Sequence, residues 1–568
     1  GKDETYFAVI HKKGETTAEL LKIIVEKTLN SFTWAKSMRW GSGQVRWVRP
    51  LHSILCILDG KIIPIEFAGI KASNITYGHR FLAPEAIIIQ NVDEYETKLE
   101  AAKVIVDNVK RKEIIKQQAI KIAAENNLEF RNDNGLLDEV TGLVEYPNVL
   151  LGRIDEKFMD LPPEVLISEM RAHQKYFALT DAKGNISSKF LITANITTLD
   201  NGKAIIAGNE RVLRARLSDG RFFFDQDRKK SLAAWAEGLK NVTFHAKIGT
   251  IAEKVERIEK LALAIAENVP NADENLVAEA AKLCKADLLT GMVGEFPELQ
   301  GVMGRYYAIN EDRNPLVADA IREHYLPLGD ESPIPTNPIS ICIALADKLD
   351  SLIQMFAIGE KPTGSKDPFA LRRAALGIIR IILENNLRID LNKFLDGELF
   401  SFFISRLIVL LRDQNIRPDV IKAVIATQDY DLLRIKKRAE ALQNFLITDD
   451  GANLIAAYKR ANNIVLAAEK KGDLLKNLNS EGLALNEYDI NLANAFNLLE
   501  ENFAKEMDKE NFTAAIHLAA KLRSPVDDFL NNVMINVEDE KLRAYRLNLL
   551  AKLKQQLDFI ADFSLLEL

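Results

Sequence analysis

Hydrophobic and polar positions follow two different rhythms along this chain, and the change falls near Trp235. Upstream, short β-branched runs stand out as strand candidates: IIPIEF at 62–67, EAIIIQ at 85–90 and KFLITANI at 189–196. Turn dipeptides such as Asp59-Gly60, Asn134-Gly135 and Gly184-Asn185 punctuate them, so this region reads as α+β. Downstream, Ile251, Val255, Ile258, Leu261, Ile265 and Val269 recur at helical spacing, and amphipathic patterns continue almost to the end. Breaks fall at 270–275, 326–338, 359–368 and around the polar stretch 470–482. No fixed-period repeat and no low-complexity run interrupts the pattern. The fold class expected is a multidomain chain, α+β followed by all-α.

Length supports the division. A chain of 568 residues exceeds the about 250–300 residues at which single cores stop growing. The boundaries expected are 1–235, 236–390, 391–475 and 476–568. A hydrophobic share of 47%, with 27% charged residues, fits a globular chain and excludes disordered, collagenous and membrane classes. Cys56, Cys284 and Cys342 are widely spaced and odd in number, which suits neither a disulfide framework nor a Cys-x-x-Cys zinc site. A reducing cytoplasm is the expected location, since no uncharged apolar run reaches about 18 residues and no signal-peptide pattern opens the chain. Gly1 reads as an internal start. The formal charge of −7 means that any nucleic-acid surface must be a local basic patch.

The segment Gly359-Glu-Lys-Pro-Thr-Gly364-Ser365-Lys366 resembles a phosphate-binding loop but fails its chemistry. Serine precedes lysine, Asp367 follows, and a helical run leads in, whereas a P-loop needs Gly-Lys-Ser/Thr after a strand. Gly41-Ser42-Gly43 lacks the third glycine of a dinucleotide fingerprint and suggests a strand or tight turn. The seven histidines show no zincin-type spacing, and there is no Gly-x-Ser-x-Gly elbow. No self-contained active site emerges. What stands out is KDPFALRRAALGIIRIIL at 366–383, where a helix is expected to open at Phe369. Leu371, Ala375, Ile378 and Ile382 form an apolar stripe, while Arg373 and Arg380 share another face. Two readings are open: a core helix whose arginines pair acidic neighbours, or phosphate contact by Lys366, Arg372, Arg373 and Arg380.

TGSKDPFALRRAALG resembles the signature segment of the β subunit of bacterial glycyl-tRNA synthetase. Similar segments are MRWGSGQVRWVRPLHSI (38–54), GLVEYPNVLLG (142–152), SEMRAHQKYFAL (168–179), GNERVLRARLSDGRFFF (208–224), VGEFPELQGVMGRYYA (293–308) and ALADKLDSL (344–352). The usual opening, a strand-like segment before Gly-Thr-Glu-Glu-Leu-Pro, is not found here. The resemblance implies a subunit that binds tRNA(Gly) for ATP-dependent glycylation at a separate α subunit, within an α2β2 heterotetramer. It implies that ATP and Mg act at that α subunit and that this chain holds no cofactor of its own.

Three finer resemblances follow. Residues 236–390 are similar to HD-type helical domains, with His245, Asp287 and Asp347 at three metal-ligand places and Ala286 where a ligand histidine would stand. Losing that imidazole implies a decayed metal site; the rival reading is a live metal-dependent phosphohydrolase, and a helical scaffold with no RNA role is a third. Residues 476–568 resemble the anticodon-binding domain named after Asp-Ala-Leu-Arg, here Glu540-Lys541-Leu542-Arg543. Leu542, Tyr545, Leu549 and Leu553 are its expected buried stripe, leaving Lys541, Arg543 and Arg546 on other faces, where RNA contact and an ordinary solvated face with arginines packing the bundle are both open readings. Arg434, Lys436, Lys437 and Arg438 form a further basic cluster expected to track the tRNA backbone, the alternative being a solvated face. The N-terminal α+β region, with its Trp-rich segment 34–49, is similar to domains of the β chain of phenylalanyl-tRNA synthetase, and no editing activity is assigned to it.

Overall fold

The computed structural model describes residues 14–471 and 482–567. The chain divides into two compact units, one ending at Asp225 and one beginning at Gln226.

In the first unit, Thr16 and Glu19 cap the helix Thr17–Ser31 reciprocally. Met38 and Trp47 then pair across a tight turn at Gly41, whose φ of 55° suits glycine. The main sheet has four antiparallel strands in the order Glu129–Phe130, Phe177–Thr180, Ile186–Ala194, Asn148–Arg153. Helices Asn108–Glu125 and Asn134–Leu143 cover it, burying Ile115, Ala119, Leu137 and Val140 against Phe177, Leu179 and Leu191. The expected run at 189–196 belongs to the strand Ile186–Ala194, and that at 85–90 contains Ala86–Ile88. The run at 62–67 splits. Ile62 ends one strand and Glu66–Phe67 forms another, because Pro64 between them has no N–H to give a ladder. Ile63 and Ile65 are nevertheless buried.

Among the described residues the second unit is helical apart from a small hairpin, Thr243–His245 with Gly249–Thr250. The hairpin ends at Thr250, which caps the helix Ile251–Ala266 with Glu253 as its reciprocal partner. Its centre is Pro338–Ala357, buried nearly all round and packed by Ile251–Ala266, Pro315–Glu323 and Leu371–Glu384. A helix enclosed in this way must bury whatever charges its sequence carries, a constraint that shapes the site below. Helices Asp449–Lys471, Glu487–Asp508, Phe512–Ala520, Arg523–Asn532 and Glu540–Asp558 form the C-terminal bundle. Loops occupy 270–273, 326–336 and 360–369, whereas most of the expected break at 470–482 lies outside the described residues.

Candidate nucleic-acid interface

The segment 359–380 is a turn leading into a helix, and the helix opens later than its sequence suggests. Thr363 and Lys366 close a tight backbone turn (N···O 3.0 and 2.8 Å). Ala370 then takes a left-handed φ of 53°, and the helix begins at Leu371 rather than Phe369. Asp367 causes the delay: its carboxylate accepts from the N–H of Leu371 (2.9 Å) and Arg372 (3.0 Å), capping the helix from outside. Leu371, Ala375, Ile378 and Ile382 are all buried, as the stripe requires. The four cations separate by role. Arg380 donates to Glu384 (2.7 Å) and to the carbonyls of Gly329 and Ser332 (both 3.0 Å), so it clamps the preceding loop. Arg372 donates to Gly364 O at 2.8 Å and stiffens the turn. Arg373 and Lys366 are exposed and their side chains have no hydrogen-bond or ion-pair partner among the described residues.

The basic cluster at 434–438 is matched by acids. Asp429 takes Arg434 (Nη2–Oδ1 2.6 Å) and Arg438 (3.2 Å). Burial works against the Asp429 charge, yet the Arg434 hydrogen bonds hold its carboxyl below the usual carboxylate value. Glu510 faces Arg388 (2.6 Å) and Lys437 (3.5 Å), and Lys436 faces Glu440 at 3.6 Å. Arg438 is largely buried, with its guanidinium 5.2 Å from the Phe512 ring centroid. The cluster ties the helix Leu432–Leu446 to the C-terminal bundle. Lys436 and Lys437 retain partial exposure beside it.

The three HD-type positions do not converge on a metal site. Asp287 is buried and its Oδ2 accepts from Gly301 N (2.5 Å) and Gly304 N (3.0 Å). Asp347 instead faces two buried ammonium groups, Lys254 at 2.9 Å and Lys285 at 3.0 Å. Asp350, three residues on, takes Lys254 (3.1 Å) and Arg257 (2.5 Å). His245 accepts from Lys247 N at 3.2 Å and its ring meets Phe369, 5.8 Å away. Among the described residues no three His, Cys, Asp or Glu side chains are placed to hold a metal. The donor set does not suit one either, since Lys254 and Lys285 already neutralise Asp347 and would repel a dication. His324 lies in the same interior, where burial keeps its ring neutral, and Lys348 donates to the carbonyls of His324 (3.0 Å) and Leu326 (2.6 Å). Burial lowers the Lys348 ammonium to about 8, despite the attraction of Asp347. Sequence reading picked out Asp347 of ALADKLD and missed Asp350 and these lysines. Lys254 sits in the apolar stripe of its helix between Ile251 and Ile258, and a charge at such a place is the signal that could have found it.

At the C-terminus, Asp539 caps the helix Glu540–Asp558. Leu542, Leu549 and Leu553 are buried and Tyr545 is half-buried, matching the expected stripe. The cations again differ from one another. Lys541 is exposed with no side-chain partner among the described residues. Arg543 is half-buried, donates to Val537 O at 3.0 Å, and lines a cavity of about 490 Å³ with Asn463, Ile464, Asn536 and Leu547. Arg546 is a correction: expected on an available face, it is buried against Asp489 because a guanidinium enclosed by the bundle needs a carboxylate within reach.

A family model described as glycyl-tRNA synthetase beta subunit matches residues 1–426. The chain belongs to the glycyl-tRNA synthetase β-subunit family. A second model, described as DALR anticodon binding domain, matches residues 454–562. It begins inside the helix Asp449–Lys471, upstream of the boundary expected at 476. The chain is similar to proteins named glycine–tRNA ligase beta subunit from Phenylobacterium zucineum (47% identity, 99% of this chain and 85% of the relative) and Rhodospirillum centenum (44%, 100% and 86%). It is likewise similar to the protein of that name from Paracoccus denitrificans (44%, 100% and 85%). Within this β-subunit family frame, the turn 359–370 lies in the first match and the cavity beside Arg543 in the second.

Proposed function

We propose that this chain is the tRNA-binding β subunit of a glycine–tRNA ligase, holding tRNA(Gly) while a separate α subunit activates glycine with ATP and Mg and transfers it. The observation that carries this reading is the similarity to glycine–tRNA ligase beta subunits along essentially the whole chain. The distribution of unpartnered cations supports it: Lys366 and Arg373 beside the turn 359–370, and Lys541 at the start of the last long helix, are exposed with no ion-pair partner among the described residues. A phosphate backbone is recognised by such cations, and each contact adds to the salt dependence of binding. Arg372, Arg380, Arg434, Lys436 and Lys437 contribute by setting the shape of the surface and by partial exposure around it. Arg543, on the wall of an apolar cavity with two asparagines, has the surroundings in which an unstacked anticodon base is read.

We assign residues 236–390 to an HD-like helical domain in which ammonium groups have taken over the balancing of acid charge from metal ions, leaving a scaffold for tRNA. The phosphohydrolase reading finds no support in a carboxylate already paired with Lys254 and Lys285. Assembly as an α2β2 heterotetramer in the cytoplasm, with residues 391–475 joining the HD-like and anticodon-binding parts, completes the proposal. Among the described residues no helix is long and apolar enough to cross a membrane.

The test is glycylation by this chain, by the α chain and by both together, with glycine-dependent pyrophosphate exchange run in parallel. The expected result is charging only by the mixture and exchange only where α is present. Exchange by this chain alone, or tRNA affinity unchanged by its addition to α, would overturn the proposal.

A further inference from the structure

A buried histidine in the first unit holds a turn whose tip is left in solvent. His79 is 2% exposed. Its Nδ1 accepts from the N–H of Phe81 and of Leu82, both at 3.2 Å, so Nε2 carries the proton and donates to Asn195 O at 2.6 Å. Gly78 brings the same turn against its neighbours: a Cβ there would stand 2.6 Å from both Ala102 Cβ and Ala83 O. The backbone is thus locked from below, and what it presents is Arg80 and Phe81.

Phe81 is 73% exposed, and the Arg80 guanidinium lies 5.6 Å from its ring centroid. Arg80 has no carboxylate partner among the described residues. The pair stands on the rim of a cavity of about 700 Å³, which Tyr77, Tyr95, Arg111 and Glu145 also line. Tyr77 is 54% exposed. Arg111 donates to three carbonyls, those of Ile105 (2.5 Å), Val106 (2.8 Å) and Thr141 (3.3 Å), and has no ion-pair partner among the described residues. Glu145 is the one carboxylate among these six and argues against a ligand that is an anion throughout. Two unneutralised arginines and exposed rings around a concave polar space suit a ligand with one flat aromatic face and one negative charge. Nucleotides have that form, and sequence-tolerant binding of unpaired bases combines such rings with such cations.

We infer that the cavity beside Phe81 seats an unpaired nucleotide at the 3′ end of the bound tRNA, its base on Phe81 and its phosphate toward Arg80. The inference rests on the tRNA-binding role proposed above and adds a second single-strand site to it. The anticodon is allotted to the domain at 454–562, which leaves the 3′ end as the unpaired terminus for this cavity. Phe81 and Arg80 do this by binding and orientation, with no bond made or broken.

The experiment measures tRNA(Gly) affinity of the α-plus-β enzyme carrying wild-type chain, Phe81→Ala, Phe81→Tyr or Arg80→Gln. Each is tested with intact tRNA and with tRNA lacking its unpaired 3′ nucleotides. Phe81→Ala should weaken intact tRNA by about 5- to 140-fold, the range for loss of one stacked base, and leave the shortened tRNA unaffected. Phe81→Tyr should restore binding, and melting temperatures should match throughout because the side chain is exposed. Equal affinities for wild type and Phe81→Ala, or equal losses on both tRNAs, would overturn the inference while leaving tRNA binding in place. Failure of the wild-type enzyme to bind either tRNA would overturn the tRNA-binding assignment itself and this site with it.

Discussion

Arg546 and Asp489 form a two-pronged ion pair inside the C-terminal bundle, Nε to Oδ1 at 2.9 Å and Nη2 to Oδ2 at 2.8 Å. The side chains are 7% and 0% exposed, and the remaining Nη1 donates to Met534 O at 2.8 Å. Asp489 also closes the cap of its own helix with Asn486, so one carboxylate joins the start of Glu487–Asp508 to the middle of Glu540–Asp558. Arg546→Ala would leave that carboxylate buried without its cation, a loss of about 3–5 kcal/mol. The expected outcome is a large fall in the unfolding midpoint, with tRNA binding lost only as the bundle melts. Arg546→Lys should recover little, because an ammonium lacks the planar fork. A stable Arg546→Ala protein with weakened tRNA binding would show that Arg546 touches RNA after all.

Arg373 and Arg380 share a helix but not a role. Arg373→Ala should leave stability within about 0.5 kcal/mol, as for other exposed positions. It should also flatten the dependence of log affinity on log salt by up to about one unit. Arg380→Ala removes donors to Gly329 and Ser332 and should loosen the loop 326–336, detectable as faster amide exchange there. Unchanged salt dependence in a stable Arg373→Ala variant would return that residue to the solvated surface.

Arg543→Ala separates base reading from backbone attraction. If Arg543 meets an anticodon base, the variant should weaken tRNA(Gly) by about 1–3 kcal/mol and scarcely affect a tRNA with a changed anticodon. Equal weakening of both tRNAs would reduce its role to phosphate contact. Binding of the two tRNAs by wild type and variant at two salt concentrations makes the distinction.

Asp287 should make stability depend on pH in a direction opposite to that of an ordinary paired carboxylate. Burial pushes its carboxyl up to about 6 from the ordinary 3.8, although the N–H groups of Gly301 and Gly304 pull the other way. Between those values the folded protein keeps a proton that the unfolded chain has released, so stability falls as pH rises through the window. The penalty is complete above pH 6 and amounts to about 3 kcal/mol. Asp287→Asn has no such proton to lose. Measured from pH 4 to pH 7, the stability of wild type relative to Asp287→Asn should therefore decline, and a constant difference would contradict the buried-acid account.

Much of the architecture was legible in the residues alone. The helical period beginning at Ile251 became a capped helix, and the stripe Leu371, Ala375, Ile378 and Ile382 is buried. The signature around TGSKDPFALRRAALG led to the family, since segments of that length carry information that composition cannot. Local rules faltered where a neighbour in the chain intervened. Pro64 divided a strand, and Asp367 delayed a helix by capping it from outside.

Which cations are free was decided by the tertiary structure. Periodicity tells which face of a helix is apolar, and it placed Lys541, Arg543 and Arg546 off the buried stripe, but it does not tell what another helix brings to the polar face. Asp489 reaches Arg546 across 57 residues, Glu510 reaches Arg388 across 122, and Asp350 reaches Lys254 across 96. The desolvation of a charge depends on everything packed around it, so it is a property of the assembled core and not of any one segment. The sequence by itself therefore determined the order of elements and the family, while folding alone decided that Arg546 and Lys254 are buried and that Arg373 and Lys541 remain in solvent.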